Sequence, residues 1–302
     1  IPIIAKQHHP RGTEATTKYF LVQAAASATV LFASTINAWD TGTWDIMQLS
    51  SPPASTMLTL ALTMKLGLAP LHLWLPEVLQ GSTLKTALII VTWQKLAPMT
   101  LLYLTQSALN PTILMTMGLL STMLGGWGGL NQTQTRKIMA YSSIAHLGWM
   151  TVILTLSTDI LLLNLTLYLL MTLTTFLVLI ITASKTMKDL TTTWTISPMV
   201  SAMMLVLLMS MAGLPPLTGF MPKWLILQEL TTHNLTMMAA ALAISTLISL
   251  FFYLRLSYMT ALTLSPTTAQ SKLKWRLLPK HKTTALSATT ILSMLLLPTT
   301  PS

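Results

Sequence analysis

The segment Met64-Lys65-Leu66-Gly67-Leu68-Ala69-Pro70 closes an apolar run that begins near Ala54. The run is long enough to cross a bilayer, and a lysine inside such a run costs about 2.5–3.5 kcal/mol on insertion scales. The glycine and the proline that follow weaken the helix just after the lysine. The segment therefore predicts a membrane helix that is interrupted beside a buried cation.

The composition of the chain is that of a membrane protein. Its 302 residues have a mean hydropathy of +0.65, and only 8% of them are charged, whereas about 25% are charged in soluble domains. The absence of cysteine excludes a disulfide framework and a cysteine metal site. We predict an all-α fold, a polytopic transmembrane helix bundle.

About nine apolar runs could cross the membrane. They cover about 19–38, 54–70, 84–104, a run ending at 125–129, 138–156, 161–182, 198–230, 234–253 and 285–297. The seventh run contains Gly213-Leu214-Pro215-Pro216. Consecutive prolines cannot donate backbone hydrogen bonds, so this run predicts a helix broken into two halves. Such breaks are tolerated at membrane depth only inside protein or beside a wet cavity.

The basic residues follow the predicted topology. Of 17 Lys and Arg, 14 lie in loops or at helix ends on one side of the membrane, side X, and none lies in a loop on the opposite side, side Y. The positive-inside rule makes X the cytoplasm-equivalent side, which is the matrix in a mitochondrion. The net charge of +10 therefore reflects topology. The basic loop 258–283 is expected to anchor the topology or contact anionic lipid or another subunit.

Three lysines remain inside the predicted spans: Lys65, Lys95 and Lys223. Burial favours the neutral amine over the ammonium, so lysines at mid-membrane depth that are bridged by water could relay protons. The alternative is that each lysine snorkels or forms a structural ion pair. All seven Asp and Glu lie in loops or at helix ends. An acidic partner would then have to lie upstream of residue 1, where we expect the chain to continue, or on another subunit.

His146 lies within the fifth run and could extend the relay, because histidine titrates near neutral pH. A hydrogen-bonded structural histidine is the alternative. The glycine cluster 125–129 indicates close helix packing rather than a nucleotide loop, since it ends a membrane span. Segment 71–77 is expected at the X interface, with Glu77 as an interfacial ion-pair or helix-capping residue. The sequence shows no metal-ligand cluster, nucleotide motif or nucleophile with its base.

Four stretches closely resemble the chain 2 family of mitochondrial NADH:ubiquinone oxidoreductase, respiratory complex I, of vertebrates. They are Lys65-Leu-Gly-Leu-Ala-Pro-Leu-His-Leu-Trp-Leu-Pro-Glu-Val, Thr92-Trp-Gln-Lys-Leu-Ala-Pro, Gly128-Gly-Leu-Asn-Gln-Thr-Gln-Thr-Arg-Lys-Ile-Met-Ala-Tyr-Ser-Ser-Ile-Ala-His-Leu-Gly-Trp and Gly213-Leu-Pro-Pro-Leu-Thr-Gly-Phe-Met-Pro-Lys-Trp. The resemblance covers nearly the whole chain and is highly specific. It identifies an antiporter-like subunit of the membrane arm of that complex.

The resemblance implies one antiporter-like transmembrane domain over residues 1–302, with its first part upstream of residue 1. It implies two inverted repeats, each with a broken helix. Lys65 would lie in the first broken helix, Lys223 in the second, and Lys95 would connect them. It also implies a glutamate partner for Lys65 on a helix before Ile1. The implied role is proton translocation across the inner mitochondrial membrane, coupled to NADH oxidation and ubiquinone reduction elsewhere in the complex.

The resemblance implies that this chain binds no cofactor or metal, and that other parts of the complex carry FMN, iron–sulfur clusters and ubiquinone. The expected partners are other membrane-arm subunits, including neighbouring antiporter-like chains, and phospholipids such as cardiolipin. Nucleic acid is not expected, because the basic loops lack interleaved aromatic residues. Two other functions remain open: a standalone cation/proton antiporter, which would share this fold, and a purely structural membrane scaffold.

Overall fold

The computed structural model describes residues 2–5, 9–215, 217–261 and 284–295, and within these ranges the chain consists of helices joined by turns and loops. The fourteen helices of these ranges are α1 (Pro10–Thr41), α2 (Pro52–Leu66), α3 (Trp74–Gly81), α4 (Leu84–Val91), α5 (Trp93–Thr105), α6 (Pro111–Gly129), α7 (Thr135–Leu154), α8 (Thr158–Thr182), α9 (Met187–Thr191), α10 (Thr193–Ile196), α11 (Pro198–Ala212), α12 (Phe220–Thr232), α13 (Thr236–Ala261) and α14 (Thr284–Leu295). A 3₁₀ turn, Gln106–Ala108, follows α5.

Each of the nine predicted runs coincides with a helix or with an interrupted pair of helices. Helix α2 ends before Gly67 (φ 73°) and α11 ends before Gly213 (φ 82°). Both glycines take the left-handed conformation that terminates many helices and that other residues adopt at a cost. The predicted breaks in the second and seventh runs are therefore confirmed.

The third run contains an interruption that the sequence analysis did not predict. Helix α4 ends at Val91 and α5 begins at Trp93, so the direction of the chain changes at Thr92. The backbone of Thr92 has φ −103° and ψ −71°, outside the ideal helical values. Among the described residues, four helical segments are long and apolar enough to cross a membrane alone: Pro10–Thr41, Leu84–Ala108, Thr158–Thr182 and Thr236–Ala261.

Two helices extend beyond the apolar runs that predict them. The first helix begins at Pro10, before the run that starts near residue 19, because proline is favoured in the first turn of a helix. Helix α13 continues to Ala261, beyond the end of its run near residue 253. Residues 258–261 of the predicted basic loop are therefore helical. The remainder of that loop, 262–283, lies outside the described residues, as does Pro216 of the second break.

Helix α7 lies at the centre of the bundle, and every residue from Ser142 to Leu154 is buried. Helix α6 packs along it through glycines. A methyl group at Gly148 would lie 2.1 Å from Ser121 Oγ and 2.7 Å from the carbonyl oxygen of Gly118. A methyl group at Gly125 would lie 2.8 Å from the backbone nitrogen of Ala145. The close packing predicted from the glycine cluster is therefore confirmed.

The loops gather at two ends of the bundle, as the alternation of spans predicts. One cavity is lined by Arg11, Arg136 and Lys185, which all belong to predicted X segments. Another cavity is lined by Pro111 and Asp159, which belong to predicted Y segments. Because loops of the same predicted side share a cavity, the structure agrees with the topology derived from the charges.

Candidate functional site

Lys95 is placed against the broken end of a different helix. It lies in the first turn of α5 and only 2% of the residue is exposed. Its Nζ donates a hydrogen bond to the carbonyl oxygen of Leu66, the last residue of α2. It also lies 5.5 Å from the centroid of the Trp74 ring. The last carbonyls of a helix lack partners within the helix and carry partial negative charge, which suits an ammonium group.

Lys65 stands immediately before Leu66 in the last turn of α2 and is partly buried. Lys65 and Lys95 are thirty residues apart in the sequence. Because α2 ends at Leu66, both lysines lie at the same helix end: Lys65 in the last turn of α2, and Lys95 bound to its last carbonyl. Within the described ranges, the ammonium of Lys65 has no ion-pair partner. Its acidic partner remains a prediction.

Lys223 repeats this arrangement at the second break. It lies in the first turn of α12, and its Nζ donates a hydrogen bond of 2.8 Å to the carbonyl oxygen of Ala212, the last residue of α11. A methyl group at Gly213 would lie 2.8 Å from this Nζ. Thus two of the three predicted lysines bind the terminal carbonyl of a half-helix.

His146 lies on the buried face of α7 with 7% of the residue exposed. It lines a small cavity together with Lys223, and the volume of that cavity is about 10 Å³. This is close to the smallest volume that accommodates one water molecule. On its other side, the imidazole ring lies 5.7 Å from the ring of Tyr168, between centroids, at an interplanar angle of 42°. The structure therefore brings His146 and Lys223 together.

Sequence reasoning did not single out two buried tyrosines at this site. The hydroxyl of Tyr168 donates a hydrogen bond of 3.2 Å to the carbonyl oxygen of Val91, where α4 ends. The hydroxyl of Tyr253 donates to Ser142 Oγ at 2.6 Å. A buried tyrosine hydroxyl usually finds a hydrogen-bond partner. The position of Tyr168 within an apolar run was the signal that could have identified it.

Three interrupted helices thus share one feature. The terminal carbonyls of α2, α4 and α11 each accept a hydrogen bond from a side chain beyond the break, from Lys95, Tyr168 and Lys223 respectively. Backbone carbonyls freed at a helix break need such donors inside a membrane protein. The donors on α2 and α11 carry a titratable ammonium group.

Trp74 connects segment 71–77 to the end of α2. It is 93% buried, and its Nε1 donates to the carbonyl oxygen of Met64 at 3.2 Å. The position of this segment at the X interface stays a prediction. The indole is drawn inward because it caps the end of α2. Glu77 is half exposed and lies 2.6 Å from the Nζ of Lys18, which confirms the predicted ion pair.

The comparisons identify the family. A family model described as NADH:quinone oxidoreductase/Mrp antiporter, TM, matches residues 1–249, and one described as NADH dehydrogenase subunit 2 C-terminus matches residues 250–302. NADH-ubiquinone oxidoreductase chain 2 of Xenopus laevis is 55% identical over 100% of this chain and 87% of the relative. This chain belongs to the NADH-ubiquinone oxidoreductase chain 2 family. The chain 2 of Oncorhynchus mykiss is 56% identical over 100% of this chain and 86% of the relative.

Solved structures agree with this membership. A chain of respiratory complex I from Thermus thermophilus superimposes with a TM-score of 0.79 at 29% identity, over 97% of this chain and 70% of that chain. A chain of the Mrp complex from Dietzia sp. superimposes with a TM-score of 0.72 at 18% identity, over 86% and 52%, and shows the fold alone. The predicted antiporter-like helix bundle is confirmed, and the protein is a multi-pass protein of the inner mitochondrial membrane.

Proposed function

We propose that this chain translocates protons as a membrane-arm subunit of respiratory complex I. Protons pass along a relay formed by Lys65, Lys95 and Lys223, with His146 as an intermediate group. NADH oxidation and ubiquinone reduction take place in other subunits and drive the relay. Support for the setting comes from the family of this chain and from its likeness to a chain of complex I.

The proposal rests on one observation: each buried ammonium group is bound by a backbone carbonyl and not by a carboxylate. Lys95 and Lys223 bind backbone carbonyls of half-helix ends, and among the described residues neither forms an ion pair. Breaking a buried ion pair leaves an uncompensated charge and is strongly unfavourable. A carbonyl partner is neutral and remains neutral, so the proton can leave without separating two opposite charges. This favours a relay over a structural ion pair.

We propose an order for the relay that rests on the contacts at the helix breaks. Lys65 lies in the last turn of α2, and Lys95 binds the carbonyl oxygen of Leu66, the last residue of that helix. Tyr168 contacts the end of α4 through its hydroxyl and His146 through its ring. The small cavity then joins His146 to Lys223 and has room for one water molecule. Side chains that exchange protons must be within hydrogen-bond reach, directly or through water, so the proposed order requires water between Lys95 and Tyr168 and between Tyr168 and His146.

We further propose that this chain holds no redox centre and binds no cofactor, and that FMN, iron–sulfur clusters and ubiquinone are bound elsewhere in the complex. Among the residues that the structure describes, no three His, Cys, Asp or Glu side chains form a cluster that could hold a metal ion. Its partners are the other membrane-arm subunits, including neighbouring antiporter-like chains, and phospholipids such as cardiolipin.

A standalone cation/proton antiporter is the second candidate, because the fold is shared with a chain of the Mrp complex. Purification separates the two functions. A complex I subunit co-purifies with a large assembly that contains flavin and iron–sulfur clusters. An antiporter would exchange sodium for protons as a single chain in liposomes.

The proposal is tested by Lys95→Met in the assembled complex. Removal of a positioned proton-transfer group slows that transfer by about 10²-fold or more, so we expect the number of protons moved per NADH oxidised to fall. Proton movement and NADH oxidation are measured together in proteoliposomes. Lys188→Met, at an exposed position of α9, serves as the control. An unchanged proton-to-NADH ratio with full assembly would leave this chain as a structural scaffold.

A further inference from the structure

The two broken runs differ in what ties them to the rest of the bundle. At the first break, the end of α2 is bound by Lys95, which belongs to a different run. At the second break, Lys223 of α12 binds Ala212 of α11, so this hydrogen bond joins two halves of one run to each other. By itself, it does not fix the position of these half-helices within the bundle.

The link between α11 and α12, residues 213–219, is held by close packing. Gly219, its last residue, lies against α11 and α8. A methyl group at Gly219 would be 1.8 Å from the carbonyl oxygen of Ser210 and 3.4 Å from Met171 Sδ. Only a residue without a side chain fits at this point. The neighbouring helices therefore restrict the shape of the link where it enters α12.

Thr218 connects this link to the C-terminal helix α14. The side chain is fully buried, and its Oγ1 donates a hydrogen bond to the carbonyl oxygen of Ser293. Ser293 lies in the last turn of α14, where carbonyl groups lack partners within the helix. Among the described residues, this is the only hydrogen bond from the link to an element outside its own run.

Helix α14 is itself fixed in the bundle. It packs against α8 and α11. Leu286, Thr290 and Ser293 share one face of the helix, and each is at most 5% exposed. The hydroxyl groups of Thr290 and Ser293 donate to carbonyl oxygens of their own helix, at 2.9 Å each. The terminal carbonyl of Ser293 is thus presented to Thr218 from a buried and well-packed helix.

The position of Thr218 matters for Lys223, because the two residues lie on either side of the start of α12 at Phe220. The reach of Lys223 Nζ to the carbonyl oxygen of Ala212, 2.8 Å, depends on where α12 begins. Proton transfer requires hydrogen-bond reach, and small displacements of a reacting group slow a reaction strongly. A contact that fixes the start of α12 therefore acts on Lys223.

We propose that Thr218 is a positioning residue for the relay. Its hydrogen bond to Ser293 lets α14 hold α12 at the place where Lys223 reaches Ala212. Thr218 transfers no proton itself. The inference rests on the proposed function, since it takes Lys223 to be a proton-transfer group.

The test uses Thr218→Val in the assembled complex, which removes the hydroxyl group and keeps the shape of the side chain. We expect the proton-to-NADH ratio to fall toward that of Lys223→Met. Hydrogen exchange of the backbone amides should increase in residues 217–224 and stay unchanged in α7. Thr218→Ser keeps a hydroxyl group and should restore both quantities.

Thr175→Val is the matched control. Thr175 lies on α8 and is as fully buried as Thr218, but its hydroxyl group donates to its own helix, to the carbonyl oxygen of Thr172 at 2.9 Å. We expect a wild-type proton-to-NADH ratio in this variant. If Thr218→Val does not assemble, Thr218→Ala is measured in the same way, because the smaller side chain cannot overpack the site.

The outcomes separate this inference from the relay. A lower ratio in Lys223→Met with a wild-type ratio in Thr218→Val would overturn the positioning role and leave the relay intact. An unchanged ratio in Lys223→Met would overturn the relay through Lys223 and the positioning role with it. A uniform increase in hydrogen exchange along the chain of Thr218→Val would indicate a general loss of stability, and this would also overturn the positioning role.

Discussion

Lys95 donates a hydrogen bond to the carbonyl oxygen of Leu66, a residue 29 positions earlier in the chain. At the first break of the fold, the last carbonyl of α2 is thus bound by a side chain from the next interrupted helix, α5. The second break is closed by its own second half, through Lys223 and Ala212. The two breaks therefore have the same terminal geometry but different lysine donors. The donor at the first break comes from a later interrupted helix, and the donor at the second break comes from the second half of the same run.

Gly213→Ala should disturb the relay through Lys223. The alanine would adopt a left-handed conformation at a cost of roughly 1–2 kcal/mol, and its methyl group would lie 2.8 Å from Lys223 Nζ. We expect a lower proton-to-NADH ratio in the assembled complex. Gly42→Ala is the matched control, since Gly42 has φ 75° and nothing lies within 4 Å of an added methyl group. An equal ratio in both variants would contradict the expectation.

Tyr168→Phe should destabilise the subunit by about 1–3 kcal/mol, because the carbonyl oxygen of Val91 loses its buried donor. The expected result is a lower unfolding temperature of the assembled complex. Tyr258→Phe provides the comparison, since Tyr258 is on α13 and 58% exposed. If both substitutions had the same small effect, the hydroxyl of Tyr168 would have no role in closing the end of α4.

Gly148→Ala should weaken the contact between α6 and α7. Its methyl group would lie 2.1 Å from Ser121 Oγ, and overpacking of this kind typically costs about 1–3 kcal/mol. Assembly level and unfolding temperature are the measurements. Gly126→Ala, on α6, should have a milder effect because the nearest atom, Ile248 Cβ, would be at 3.3 Å. Equal tolerance of both alanines would show that the helices separate readily.

The loop before α9 should depend on pH through Asp189. Burial alone would raise the pKa of Asp189, but hydrogen bonds from the backbone of Thr186 and Lys185 and the charge of Lys185 hold it below its ordinary value of 3.8. A carboxyl group whose pKa is lowered by folding stabilises the folded state at any pH above its ordinary pKa. This stabilisation is lost as the pH falls through the lowered pKa. The unfolding temperatures of wild type and Asp189→Asn should differ near neutral pH and converge in acid. A constant difference would contradict this assignment.

The sequence was sufficient to place the helices, because the apolar runs are long and the basic residues alternate by side. It also located the breaks at Gly67 and Gly213, since glycine and proline leave a local signature. The break at Thr92 has no such signature. Its conformation depends on contacts with other elements, among them the hydroxyl of Tyr168 on α8, and these are set by tertiary packing.

The candidate site was also predicted only in part, because some of its residues have a signal in the sequence and others are set by tertiary packing. A lysine in an apolar run is visible in one sequence because charge at that depth is unfavourable. The carbonyl that binds it is a backbone group that every residue carries, so Leu66 and Ala212 could not be recognised as partners. The hydrogen bond from Trp74 to the carbonyl oxygen of Met64 is likewise a property of the folded chain.

The glycine contacts between α6 and α7 have a mechanical consequence. Where Gly118 and Gly148 meet, the backbones approach so closely that even a methyl group is excluded, so neither helix can slide or rotate past the other without a clash. We therefore expect α6 and α7 to keep their relative position and move as one rigid unit during turnover. Displacement would then be confined to the half-helices on either side, which pivot at Gly67, Thr92 and Gly213.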